Sequence, residues 1–225
     1  MAKNDFSGEG AENYEQKCLC VLVLDVSGSM RGKPIEELNN GLKSFYDEIS
    51  NDPTTKQRLE VAIIEFNHEV KKTVNPALVE NITLPTLEAT GSTAMVDAVN
   101  EAIDLVADRK AWYRQTNQSY YRPWVILMTD GEPDNGQDIN TLAERIKKDT
   151  ADKRYAFLPI GVEGANMSIL QSIQGNIPAM KLQGTKFSDF FKWLSASMGS
   201  VVTAENGQKV DLTEGANDWM SSFEI

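Results

Sequence analysis

The sequence predicts an α/β domain: a doubly wound, mostly parallel sheet with helices on both faces and one antiparallel edge strand. Three observations carry this. Short apolar runs rich in β-branched residues recur along the middle of the chain. Stretches with helical spacing of apolar residues separate them, as βαβ crossovers require. Only one pair of runs is joined tightly enough to be a hairpin.

The strands come first. The runs are CLCVLVL (18–24), LEVAIIEF (59–66), WVILMTD (124–130) and YAFLPIGV (155–162), with a weaker one at VKKTVN (70–75) and a short one at AMKL (179–182). Near-continuous apolar character suits strands covered on both faces. The pair 59–66 and 69–75, joined by Asn67 and His68, is the hairpin, and places its second strand at an edge.

The helices follow. PIEELNNGLKSFYDEIS opens with Pro34, suited to a first helical position, and sets Ile35, Leu38, Leu42, Phe45 and Ile49 on one stripe. STAMVDAVNEAIDLVADR aligns Met95, Val99, Ala102, Ile103 and Val106 in the same way. INTLAERIKKDT, NMSILQSIQG and FSDFFKWLSASMGSVV complete the set. The domain is expected over 17–202. Residues 1–16 are expected to be a flexible segment, and 203–225 a tail that docks on the domain or binds a partner.

Composition narrows the function. The net charge is −11, which gives the chain no general electrostatic reason to seek nucleic acid or an anionic membrane. No apolar stretch is long enough to span a bilayer, and the polar N-terminus has no signal-peptide core, so a cytoplasmic location is expected. Cys18 and Cys20 point to one face of a strand two residues apart, which suits reduced core thiols better than a bridge. His68 is the only histidine, which leaves Ser-His or Cys-His catalysis without support.

In an open α/β sheet, ligands bind beyond the carboxyl ends of the strands, where strand order reverses. With the common order 3-2-1-4-5-6, Asp25 and Asp130 end neighbouring strands at that point. The loop ATGSTAM brings Thr93 to the same side, and Ser27 and Ser29 alternate after Asp25. Hard oxygens without His or Cys favour a hard cation, Mg²⁺ or Mn²⁺ first, with Ca²⁺ an alternative. Each piece has a plainer explanation: Thr93 as a helix cap, Asp130-Gly131 as a turn. Asp25 could also be the nucleophile of a haloacid-dehalogenase-like phosphatase, but that chemistry wants an acid two residues on, where Ser27 stands. A structural module with a vestigial site is a third alternative.

The motif Asp25-x-Ser27-x-Ser29, with Thr93 in GST and Asp130 in MTDG, resembles the metal-ion-dependent adhesion site (MIDAS) of von Willebrand factor A (VWA) domains, over roughly residues 18–200. More narrowly, DVSGSMRGKPIEELNNGL, RPWVILMTDGEPD and FFKWLSASM are similar to the VWA proteins of bacterial tellurium-resistance (Ter) clusters. The resemblance implies a Rossmann-like fold and a non-enzymatic protein-binding role. It implies Ser27 and Ser29 as direct ligands, Thr93 as a direct or water-mediated one, and Asp25 and Asp130 acting largely through water or hydrogen bonds. A partner Glu or Asp would complete the coordination. The Ter setting implies a cytoplasmic complex for stress response, metal resistance or phage defence, with a phosphatase or kinase of the same cluster as partner.

Met30, Arg31, Gly91, Ser92, Glu132 and Asp134 are expected on a partner-facing rim. Glu132, Asp134 and Asp138 are read as solvated acids, with a second ion site as the alternative. The segment WYRQTNQSYYRPW (112–124) mixes aromatic and basic residues at the opposite end of the sheet. An extended loop packed on its own domain is expected there, with a protein interface as the alternative.

Overall fold

The computed structural model describes residues 4–130, 132–204, Ala216 and Met220. Its sheet has six strands in the order β3-β2-β1-β4-β5-β6. They are β1 (Cys18–Asp25), β2 (Leu59–Phe66), β3 (Val70–Leu78), β4 (Trp124–Thr129), β5 (Ala156–Gly161) and β6 (Met180–Lys181). All neighbours run parallel except β2 and β3, which form the expected hairpin. The edge strand β3 runs three residues beyond the predicted one and contains Pro76, which an edge tolerates because its missing N–H faces no partner strand.

Among the described residues six helices flank the sheet: α1 (Lys33–Asn51), α2 (Thr55–Arg58), α3 (Met95–Gln115), α4 (Ile139–Ala151), α5 (Met167–Ser172) and α6 (Phe187–Thr203). The short α2 and the 3-10 turns at 28–30 and 79–81 have no counterpart in the sequence reading.

Strand β1 shows why its run is continuously apolar. Cys18, Cys20, Leu22 and Leu24 enter one core with α1 and α6, while Leu19, Val21 and Val23 enter the other with α3 and α4. Both thiols are buried and free, and burial pushes Cys18 up to about 12. Helix α1 meets α6 closely at Gly41, where a Cβ would lie 2.6 Å from the Phe191 ring. The stripe Leu38, Leu42, Phe45 and Ile49 is buried as the spacing predicts.

At the strands' amino ends lies a buried polar cluster. Glu60 of β2 accepts two bonds from Arg109, at 2.8 and 2.9 Å, and one from the Tyr113 hydroxyl at 2.6 Å. Arg109 also lies 4.0 Å from the centre of the Trp112 ring and pairs with Glu9. These contacts extend α3 through residues 112–115, so the start of the aromatic–basic segment is helix rather than loop. The rest packs on its own domain, with Tyr120 stacked on Tyr113 and bridged to Lys17.

Residues 4–16 form no helix or strand, yet they are not detached. Phe6 is buried against the α3 side, Asn4 binds Asp108, and Glu9 binds Arg109, because the buried guanidinium needs acids on both sides. In the tail, Met220 bridges to Leu182 and, with Ala216, joins the α1–α6 core. The tail's remaining large apolar residues, Trp219, Phe223 and Ile225, lie outside the described residues.

Candidate functional site

The carboxyl ends of β1 and β4 open at the reversal of strand order, and the loops there are tied together by backbone bonds. Val26 donates to Phe66 O and accepts from Thr90 N, both at 2.8 Å. Gly28 donates to Gly91 O at 2.9 Å, so close that a Cβ on Gly28 would sit 3.2 Å from that oxygen. Ala94 donates to Asn67 O and Asp134 to Thr93 O, at 2.6 and 3.0 Å. Four separate loops therefore hold one rim.

Inside it, the side chains meet as a chain of oxygens. The Ser27 and Ser29 hydroxyls lie 3.0 Å apart, and Ser29 donates to Asp130 Oδ1 at 2.7 Å. Asp25 sits beneath, fully buried. Its Oδ1 accepts from the Ser27 N–H at 2.8 Å and its Oδ2 from the Thr129 hydroxyl. Thr93 is also buried, on the loop whose carbonyl receives Asp134.

Burial pushes the Asp25 carboxyl up to about 6, against the opposing donors on Ser27 and Thr129, and the Asp130 charge adds to the rise. Burial also raises Asp130, against the bond from Ser29. Neither carboxylate forms an ion pair with Lys, Arg or His among the described residues. Two partly desolvated carboxylates with hydroxyls between them and no cationic side chain suit a bound cation. Among the described residues there is no cluster of three or more His, Cys, Asp or Glu side chains, so hydroxyls would have to supply much of any donor set.

The rim differs in one place from the sequence expectation. Met30 is fully buried in the α1–α6 core, because the 3-10 turn at 28–30 rotates its side chain inward, so it does not face a partner. Arg31 is exposed and donates to Ala89 O at 3.2 Å. Gly91 and Ser92 are exposed, and Ser92 donates to Asp134 at 2.6 Å. Glu132 accepts from Asn166, and Asp138 caps α4 through Thr141, so these acids are engaged separately.

Three contributors escaped the sequence reading. Thr129 follows from register, since Leu24 pairs with Met128 and the next residues are Asp25 and Thr129. Asn67 and His68 belong to the hairpin turn, which reaches the site because β2 runs parallel to β1. His68 lies over Gly91, whose φ of +75° and closeness to the imidazole (2.3 Å from a hypothetical Cβ to Nδ1) admit only glycine.

Residues 20–192 match the family model of the von Willebrand factor type A domain. The chain belongs to the VWA family. It is 29% identical over 129 residues to Uncharacterized protein sll0103 of Synechocystis sp., covering 55% of this chain and 27% of that protein. It is 26% identical over 149 residues to human inter-alpha-trypsin inhibitor heavy chain H4, covering 63% of this chain and 15% of that protein. This VWA chain thus spans well under a third of either relative. The pilus adhesin SpaC of Lactobacillus rhamnosus GG, in its open conformation, has a similar fold, with a TM-score of 0.64 at 16% identity over 84% of this chain and 31% of that one. VWA domains are commonly protein-interaction modules and generally not enzymes. Among the described residues, no helix is long and apolar enough to cross a membrane.

Proposed function

We propose that this VWA domain is a non-enzymatic, metal-dependent protein-binding module. The observation that carries the proposal is the continuous chain Ser27–Ser29–Asp130 above a buried Asp25 that has no cationic partner among the described residues. Ser27, Ser29 and Thr93 would hold the cation, with Asp25 and Asp130 behind them; Mg²⁺ is the first choice, with Mn²⁺ or Ca²⁺ as alternatives. A divalent cation bound there supplies a coordination position that a partner's Glu or Asp fills. The chain's own part is to keep Asp25 fixed by Thr129 and the Ser27 amide, and to present Ser29 at the surface.

The phosphatase alternative fits poorly. Asp25 is fully buried with both oxygens hydrogen-bonded, which suits a positioning carboxylate rather than a nucleophile. The similarity to Ter-cluster VWA proteins favours a cytoplasmic stress-response, tellurium-resistance or phage-defence complex, with a phosphatase or kinase of the same cluster as partner.

Calorimetric titration of Mg²⁺ and Mn²⁺ into wild type and Asp25→Ala tests the metal. Saturable heat lost in the variant is expected, and no heat in wild type overturns the proposal. Capture of partners with and without EDTA tests the role: the same proteins recovered in both, and with Asp25→Ala, would mean the metal is not the binding element.

A further inference from the structure

A cavity of about 280 Å³ lies between α3 and α4 at the amino ends of the strands, away from the Asp25 crevice. Its walls carry four cationic side chains, Lys110, Arg114, Arg145 and Arg154, against one carboxylate, Asp149, over an apolar floor that includes Val106 and Tyr155. This is a concentrated positive site on a chain of net charge −11.

Two of the four cations are locally engaged. Arg145 binds Asn100 and Asp104, and Arg154 lies 3.2 Å from Asp149 and 3.5 Å from Asp152. Lys110 and Arg114 have no carboxylate within ion-pair distance among the described residues. Lys110 donates to Arg154 O at 2.9 Å and lies 5.8 Å from the Tyr120 ring centre, while Arg114 reaches the Tyr120 hydroxyl at 3.4 Å. Burial, with the neighbouring Arg114 and Arg154 charges, holds the Lys110 ammonium below its usual range. A cation near a helix carboxyl end offsets its exposed carbonyls, which accounts for one such residue per helix but not for four around one cavity.

We propose that this cavity binds a phosphoryl group, held by Lys110 and Arg114. A dianion relieves the crowded positive charge more fully than a carboxylate, and the flat guanidinium fork matches phosphoryl oxygens in pairs. A polyanion such as nucleic acid would meet the acidic remainder of the surface, whereas a single phosphoryl group would not. The apolar floor suits a small organic body attached to the group.

The test is calorimetric titration of inorganic phosphate at low ionic strength, with EDTA present so that no cation in the Asp25 crevice recruits the anion. Acetate serves as the control, and phosphotyrosine and AMP distinguish a protein source from a nucleotide. Saturable phosphate binding is expected, weakened about tenfold or more in Lys110→Met and in Arg114→Gln. Arg114 is exposed, so its variant keeps the fold, which a thermal melt checks. Tighter binding of phosphotyrosine or AMP than of phosphate supports the site and names the source. No saturable phosphate heat in wild type, unchanged affinity in both variants, or acetate bound as tightly as phosphate overturns the proposal.

Discussion

The Thr129 hydroxyl of β4 donates to Oδ2 of Asp25 on β1, locking the two strands that flank the reversal of chain order at the depth of the crevice. The bond fixes which way the carboxylate faces: Oδ2 points toward Thr129 on β4 and Oδ1 toward the Ser27 amide. Thr129→Val keeps the shape and removes the donor, leaving a buried acceptor unsatisfied. A loss of about 1–3 kcal/mol in urea unfolding is expected, together with weaker Mg²⁺ binding by calorimetry.

The Asp25 carboxyl gives the metal-free protein a pH dependence of definite sign. Its value is raised on folding, from 3.8 to about 6, so its favourable contribution is complete below about pH 4 and is lost as pH rises through 6. In EDTA, stability is therefore expected to fall across that window, by at most about 3 kcal/mol from this group. Urea midpoints measured from pH 4 to 7 should show the fall in wild type and a smaller one in Asp25→Asn. Saturating Mg²⁺ should abolish it.

Ligand linkage offers a simpler assay. With a cation bound only by the folded state, the melting temperature rises with its concentration. Wild type should gain several degrees in Mg²⁺, on the order of 2–4 kcal/mol at concentrations 100- to 1,000-fold above the dissociation constant. Asp25→Ala and a Ser27→Ala, Ser29→Ala double variant should gain none, as scanning calorimetry would register.

The Glu60–Arg109 pair predicts a different pattern. Arg109→Met leaves Glu60 buried without its bidentate partner, and a loss of about 3–5 kcal/mol in denaturant unfolding is expected. Adding Glu60→Gln removes the stranded charge while keeping an acceptor for Tyr113. The double variant should therefore be more stable than Arg109→Met alone, a non-additivity that a double-mutant cycle measures.

Gly41→Ala sets propensity against packing. Alanine favours the helix by roughly 1 kcal/mol, but its Cβ would stand 2.6 Å from the Phe191 ring and 3.2 Å from the Phe187 backbone. The backbone contact cannot swing away, so net destabilisation of about 1–3 kcal/mol is expected in thermal unfolding.

The strands and the larger helices were legible because each buries a continuous stripe or run whose period survives in the sequence. Strand order gave Asp25 and Asp130 a common crevice, and Ser27 and Ser29 followed from alternation. What escaped depends on contacts between distant residues. Thr129 and the turn at Asn67 and His68 become visible only once β1, β2 and β4 are in register. The end of α3 looked like a loop because Tyr113 is held by Glu60, about fifty residues away, and Trp112 by Arg109 and the Glu9 carbonyl. Met30 was misplaced since a 3-10 turn of three residues leaves no periodic mark.

The alternation of β1 has one further consequence. Its residues are shared between two cores, and Asp25 is the next step of the same count. Inserting or deleting one residue between 18 and 25 would exchange the two sets of side chains and turn the carboxylate away from its crevice. The strand thus acts as a ruler with two scales, and a change in its length by an odd number of residues spoils both at once.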